Sequence, residues 1–178
     1  MAKRSYPLSK VYGLLEPGPV VLLTTRHKDK PNAMTLSWHT MMEFEPPLVG
    51  CVVSDRDHSF HALKYSRQCV LNIPSVELNE AVVGCGNTSG RDTDKFASFG
   101  LTPVQAKVVD VPMIQQCFAN LECKVVDTRF VNRYSFFVLE VVKAWMDPAS
   151  QCPRTLHHRG RGSFMVAGET IALASRMR

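Results

Sequence analysis

The chain has 178 residues, 45% of them apolar and 21% charged. That composition supports one globular core and argues against intrinsic disorder, so residues 1–178 are expected to form a single domain. No apolar run reaches the roughly 18 residues of a membrane span, and the basic start MAKRSYPLSK has no apolar segment or cleavage site after it, so neither membrane nor export is expected and the cytoplasm is. A net charge of +5 suits an anionic ligand, but the basic residues are dispersed and the aromatics sit in apolar runs, so nucleic acid is not an expected partner.

Residues 19–26 (PVVLLTTR) are apolar and β-branched, a buried strand. Residues 27–31 form a polar turn ending in proline, and residues 32–40 return as a second strand. There Met34, Leu36 and Trp38 alternate with Thr35, Ser37 and His39, which places the three polar residues on one face. After the Pro46-Pro47 break, residues 48–54 read as a strand apolar on both faces. Residues 58–67 form a short helix with Phe60 and Leu63 inward, and residues 69–73 a strand stopped by Pro74. Ser75 is expected to cap a helix that buries Leu78, Ala81 and Val82. Residues 84–90 look like a glycine-bearing loop, followed by a short helix capped by Asp92 or Thr93 and stopped at Gly100. Residues 121–131 and 134–145 make a long hairpin turning at Asn132-Arg133. A polar loop over 148–162 and strand-like pieces over 164–171 close the chain. Many strands with short inserted helices predict a mainly β protein, a barrel with Greek-key connections, and not a doubly wound sheet. No GxGxxG follows a first strand, so a Rossmann unit is not supported.

Four constellations carry possible chemistry. The strand face of Thr35, Ser37 and His39 offers hydroxyl and backbone donors to a planar polar ring; the alternative is a half-exposed strand wetted by solvent. The run Ser54-Asp55-Arg56-Asp57-His58-Ser59 places a strand end before a helix N-terminus, where N–H groups, hydroxyls and a guanidinium attract phosphate; the alternative is that Asp57 merely caps the helix. The run at 87–92, with Lys95 one turn on, repeats hydroxyl, glycine and base at a helix start; alone it also reads as a capped surface helix. His157-His158-Arg159 is the fourth. Adjacent histidines on extended backbone point apart, and no carboxylate lies nearby, so a metal site is not expected; Arg159 or a histidine can instead meet a substrate anion. The six cysteines form no CxxC, and Cys51, Cys69 and Cys123 fall in apolar runs as free core thiols. No GxSxG, HExxH or Walker A pattern is present, and no residue is singled out as a catalytic acid, base or nucleophile.

Over nearly its whole length the chain resembles the flavin reductase-like family of FMN-binding split-barrel proteins, with the tail nearest to the flavoredoxin branch. The resemblance rests on PVVLLTTRHKDKPNAMTLSWHT, FEPPLVGCVVS, VLNIP, CGNTSGRDTDKFASFGLTP, LECKVVD, FFVLEVVKAW, PRTLHHRG and FMVAGE, in that order. It implies a six-stranded Greek-key barrel, a homodimer, and FMN held noncovalently near the dimer interface. By position, Thr35, Leu36, Ser37, Trp38 and His39 would line the flavin ring. Ser54, Arg56, His58 and Ser59 would hold the phosphate and ribitol, Asn72 would face the flavin, and Ser89, Gly90 and Lys95 would complete the phosphate surround. NAD(P)H is the implied electron donor, with free flavin, ferric iron or a redox partner as acceptor. Tyr134 stands where many members carry a histidine near the nicotinamide. Tyr134, His158 and Arg159 are therefore the candidate substrate contacts, and a flavin electron carrier without direct NAD(P)H oxidation is the alternative.

Overall fold

The computed structural model describes residues 18–150 and 152–174. Its main sheet has seven antiparallel segments: β1 (Val21–His27), β2 (Lys30–Leu36), β3 (His39–Glu43), β4 (Leu48–Val52), β5 (Gln68–Ile73), β8 (Ala119–Asp127) and β9 (Phe136–Met146), where β6 (Pro103–Val104) and β7 (Met113–Ile114) form a small separate pair. The order is β2-β1-β5-β8-β9-β4-β3. Its two ends, β2 and β3, are separated in the chain only by Ser37 and Trp38, so they are halves of one bent strand. Val21 pairs with Leu36 on one side of the bend, and the Val52 N–H donates to the Trp38 carbonyl at 3.0 Å on the other. The sheet therefore closes into a six-stranded barrel. β4 is followed by β5 three places away in the sheet, a Greek-key crossing with β8 and β9 in the gap.

Alternation along the strands sorts residues between two cores. Val21 and Leu23 point inward with Cys51, Cys69, Leu71, Cys123, Phe137 and Leu139, and Phe60 and Leu63 from helix α1 (His58–Ser66) enter the same cluster. Val20, Leu22 and Ala33 point outward and pack on Ala81, Val82 and Cys85 of helix α2 (Asn79–Asn87) and on Phe96 of the short helix α3 (Lys95–Ser98). Each fully buried large apolar side chain contributes about 1.5–3 kcal/mol. Cys69 sits directly opposite Cys123. Burial pushes the Cys51 thiol up to about 12, so these thiols act as core residues.

Four expectations need correction. The loop expected over 84–90 is helical as far as Asn87, because the missing side chain at Gly84 makes room for a neighbour: a Cβ there would lie 2.3 Å from the Phe99 ring. Ser75 opens a 3-10 turn (Val76–Leu78) and not α2 itself, and its side chain makes no capping bond. The cap of α3 is Asp94, not Asp92 or Thr93; its Oδ1 accepts from the N–H groups of Phe96 and Ala97 at 3.1 and 3.2 Å. The β8–β9 connection is not a two-residue turn. Val131 is buried and anchors a helical turn, α4 (Val131–Tyr134), closed by Ser135 at φ 54°. The final hairpin pairs β10 (Leu156–His158) with β11 (Phe164–Val166).

Candidate functional site

A cavity of about 370 Å³ opens where β2, the start of α1 and the end of α2 converge. Asn32, Met34 and Thr35 supply one wall, Arg56 to Ser59 a second, and Cys85 to Gly90 a third, with Lys95 below. Lys95 is 4% exposed. Its Nζ donates to the Cys85 carbonyl at 2.7 Å, and it makes no ion pair among the described residues. Burial lowers its pKa, with partial compensation from Cys85 and Asp57. A buried ammonium with one backbone acceptor, turned to a polar cavity, is short of negative charge.

The surrounding groups have the same bias. The His58 pKa is lowered, first by burial and then by the positive charges of Arg91, Lys95 and His27, with Asp92 opposing. Ser59 is buried, and its Oγ accepts from Asn32 Nδ2 at 2.9 Å and Thr25 Oγ1 at 3.4 Å, which fixes the start of α1 against β1 and β2. Asp57 occupies the N-cap position, but its side chain caps nothing in the helix; it accepts from the Ser54 N–H at 3.1 Å. Burial raises its pKa, only partly offset by that hydrogen bond and by Lys95. Gly90 lets the backbone close on the cavity: a Cβ there would lie 2.1 Å from Asn32 Oδ1 and 2.8 Å from His58 Cδ2.

A second cavity of about 270 Å³ shares Thr35, Gly86 and Asn87 with the first. Val20, Val82, Val83 and Phe164 make it more apolar, and Ser37 and His158 add polar groups. The His158 ring lies 5.2 Å from that of Phe164. Thr35 Oγ1 donates to the Val82 carbonyl at 2.5 Å, tying β2 to α2 at the border between the cavities.

Of the residues singled out from sequence, Arg56, His58, Ser59, Ser89, Gly90, Lys95 and Thr35 come together at the first cavity, and Thr35, Ser37 and His158 at the second. Others lie elsewhere. Leu36 is buried in the barrel interior. Trp38 is 55% exposed, because the strand breaks at 37–38 and the alternation ends there. His39 Nε2 bonds the Pro19 carbonyl at 2.7 Å. Ser54 lies behind the first cavity, its Oγ accepting from the Arg56 N–H at 3.3 Å. Asn72 is fully buried: Nδ2 donates to Leu22 O at 2.8 Å, and Oδ1 accepts from Ile114 N and Asn120 Nδ2, each at 2.9 Å. It is spent on strand packing and reaches neither cavity. Tyr134 is exposed, with the Arg133 guanidinium over its ring at 5.2 Å, and it also lines neither cavity. Arg159 is exposed on the final hairpin. Among the described residues no His, Cys, Asp and Glu cluster is arranged to hold a metal. Sequence reading missed Asn32 in the first cavity, while Asn87 and Thr88 belong to the 87–92 run that it singled out. Asn32 had a signal, an amide at the start of a strand otherwise made of apolar and hydroxyl residues.

A closed antiparallel barrel whose outer wall carries a cation-floored cavity beside a more apolar one is a split barrel with two adjoining pockets of different polarity. The chain belongs to the family described as flavin reductase like domain, whose model matches residues 14–164. It is 30% identical over 172 residues to the uncharacterized protein YddH of Escherichia coli, covering 89% of this chain and 91% of that protein. Among solved structures, an FMN-binding domain of a flavin reductases-like enzyme from Shewanella baltica superposes with a TM-score of 0.82 at 26% identity, covering 96% of this chain and 97% of that one. A flavoredoxin from Methanosarcina acetivorans gives 0.82 at 26% identity, with 99% and 97% covered.

Proposed function

We propose that this chain binds FMN noncovalently and acts as an FMN-dependent oxidoreductase, moving electrons from NAD(P)H to free flavin, ferric iron or a protein acceptor. The observation that carries the reading is Lys95, a buried cation facing a polar cavity and short of negative charge, since it makes no ion pair among the described residues. A phosphate monoester supplies that charge. The Gly90 backbone, approaching where no side chain fits, is a second mark of a cradle for such a group. Lys95, Arg56 and the hydroxyls of Ser59 and Ser89 would hold the phosphate. Thr35, Ser37 and the more apolar second cavity would receive the ring system. When bound, FMN supplies the two-electron redox chemistry. The protein's part is to anchor the phosphate, orient the ring and exclude water around Thr35 and Val82.

Family membership and the Shewanella and Methanosarcina structures support the FMN assignment. With Tyr134 away from both cavities, contact with the donor falls to His158 and Phe164. The exposed Trp38, Met41, Met42 and Phe44 at and after the barrel's closing bend support a homodimer, and no helix among the described residues is long and apolar enough to cross a membrane, in keeping with the proposed cytoplasmic setting. The position of Tyr134 also favours a second reading, a flavin electron carrier reduced by a protein partner.

The test begins with the visible spectrum of the purified protein and an FMN titration. A colourless preparation that takes up no added FMN sinks the proposal. Anaerobic mixing with NADH and NADPH follows: loss of flavin absorbance supports the reductase, and reduction only by a protein donor supports the carrier.

A further inference from the structure

We infer that the β10–β11 hairpin is a phosphate-selective clasp that makes this protein prefer NADP(H) to NAD(H). The inference rests on the proposed function, in which the nicotinamide donor meets His158 and Phe164 beside the flavin ring. Two residues flanking the hairpin tip, His158 and Gly162, line that cavity, together with Phe164. The tip itself is Arg159-Gly160-Arg161, so each cavity-lining residue has an exposed arginine as its chain neighbour.

The tip has a defined shape. The Arg159 N–H donates to the Ser163 carbonyl at 2.8 Å, and the Ser163 N–H to the Gly160 carbonyl at 3.0 Å. Gly160, Arg161 and Gly162 all have left-handed backbone, with φ of 90°, 51° and 73°. Arg161 is not a glycine, and this conformation is uncommon for a long side chain. Neither guanidinium takes part in a hydrogen bond or ion pair among the described residues: the two ion pairs there are Arg26–Asp110 and Arg129–Asp127. The tip thus carries two exposed arginines, unpaired among the described residues, each next in the chain to a residue that lines the cavity.

That pairing selects a ligand class. Val82, Val83 and the tilted His158–Phe164 pair, its ring planes 51° apart, suit a flat heteroaromatic ring. The two guanidinium groups suit a phosphomonoester, which accepts bidentate charged hydrogen bonds. Among nicotinamide dinucleotides only the 2′-phosphorylated form offers a monoester. A carboxylate substrate shares the charge but lacks the dianionic tetrahedral head, so the experiment compares nucleotides that differ in that group alone.

Equilibrium binding of NADP+ and NAD+ to the FMN-loaded protein reads the preference without turnover. Loading is judged first from the flavin absorbance; if no FMN is taken up, the proposed function has failed, and the same titration is run on the apoprotein to judge the hairpin separately. NADP+ is expected to bind at least about tenfold more tightly than NAD+, the scale of one or two charged hydrogen bonds. In R159Q/R161Q the ratio of the two affinities is expected to fall to about one. Both positions are exposed, so the variant keeps its fold, and an unchanged thermal midpoint verifies this. A wild-type ratio near one, a preference for NAD+, binding of neither nucleotide, or a ratio that survives in the variant would each overturn the inference.

Discussion

Lys95 is the residue on which the proposed site turns. Replacing it with Met keeps most of the apolar stem and removes the charge. If it pairs with a phosphate, K95M weakens FMN binding about ten- to a hundredfold, measured by fluorescence titration of the apoprotein. The pH dependence has a definite sign. The pKa of Lys95 is lowered from 10.5 by burial, and a bound anion raises it again. FMN affinity is therefore full below the lowered value and falls as pH rises through it, a limb missing from K95M. Gly90 gives a separate check. G90A drives a methyl group into Asn32 and His58, so it weakens FMN uptake even though it leaves every charge in place. Equal FMN affinity in G90A and wild type would refute the close backbone approach.

At the scale of elements, Glu122 shows how a single side chain fixes a segment. This glutamate of β8 is fully enclosed, and its carboxylate accepts from the backbone N–H groups of Lys107, Val108 and Val109 at 3.1, 2.6 and 3.0 Å and from Trp145 Nε1 at 2.8 Å. Burial raises its pKa, and the four hydrogen bonds outweigh that, so the net shift is downward from 4.5. Its contribution is complete above that ordinary value and is lost as pH falls through the lowered one. E122Q puts an amide NH2 among donors and is expected to cost about 2–3 kcal/mol in urea unfolding at neutral pH, with a flatter loss of stability in acid. None of this was legible in LECKVVD, because three donors are backbone groups 13 to 15 positions away and the fourth is the Trp145 indole 23 positions on. The barrel strands were legible, since burial leaves alternation and β-branching in the sequence. So were Phe60 and Leu63, spaced to share one face of α1. Asn72 is placed at the flavin by the resemblance alone, and its partners Leu22 and Ile114 come from other strands. Local reading misjudged α2, where Gly84 looks like part of a loop but makes room for the Phe99 ring.

At the scale of the molecule, the apolar surface of Trp38, Met41, Met42 and Phe44, from 48 to 83% exposed, is the strongest sign of self-association. Sedimentation is expected to give a species of twice 19.9 kDa, and F44S/M41S to shift it toward the monomer; a wild-type monomer at micromolar concentration would dismiss the proposed homodimer.

The closing bend at Ser37 and Trp38 has a thermodynamic consequence. The strand that seals the barrel, β2, is also the wall common to both cavities. A molecule seated there is lost whenever the seal opens, so occupancy and closure are linked: ligand at a hundred times its dissociation constant adds about 2.7 kcal/mol to unfolding. The heat resistance of the protein then becomes a measure of its own loading. Chains without ligand would be the first to unseal, and β2 and β3, the two borders of the sheet, would be the first backbone to exchange its amide protons.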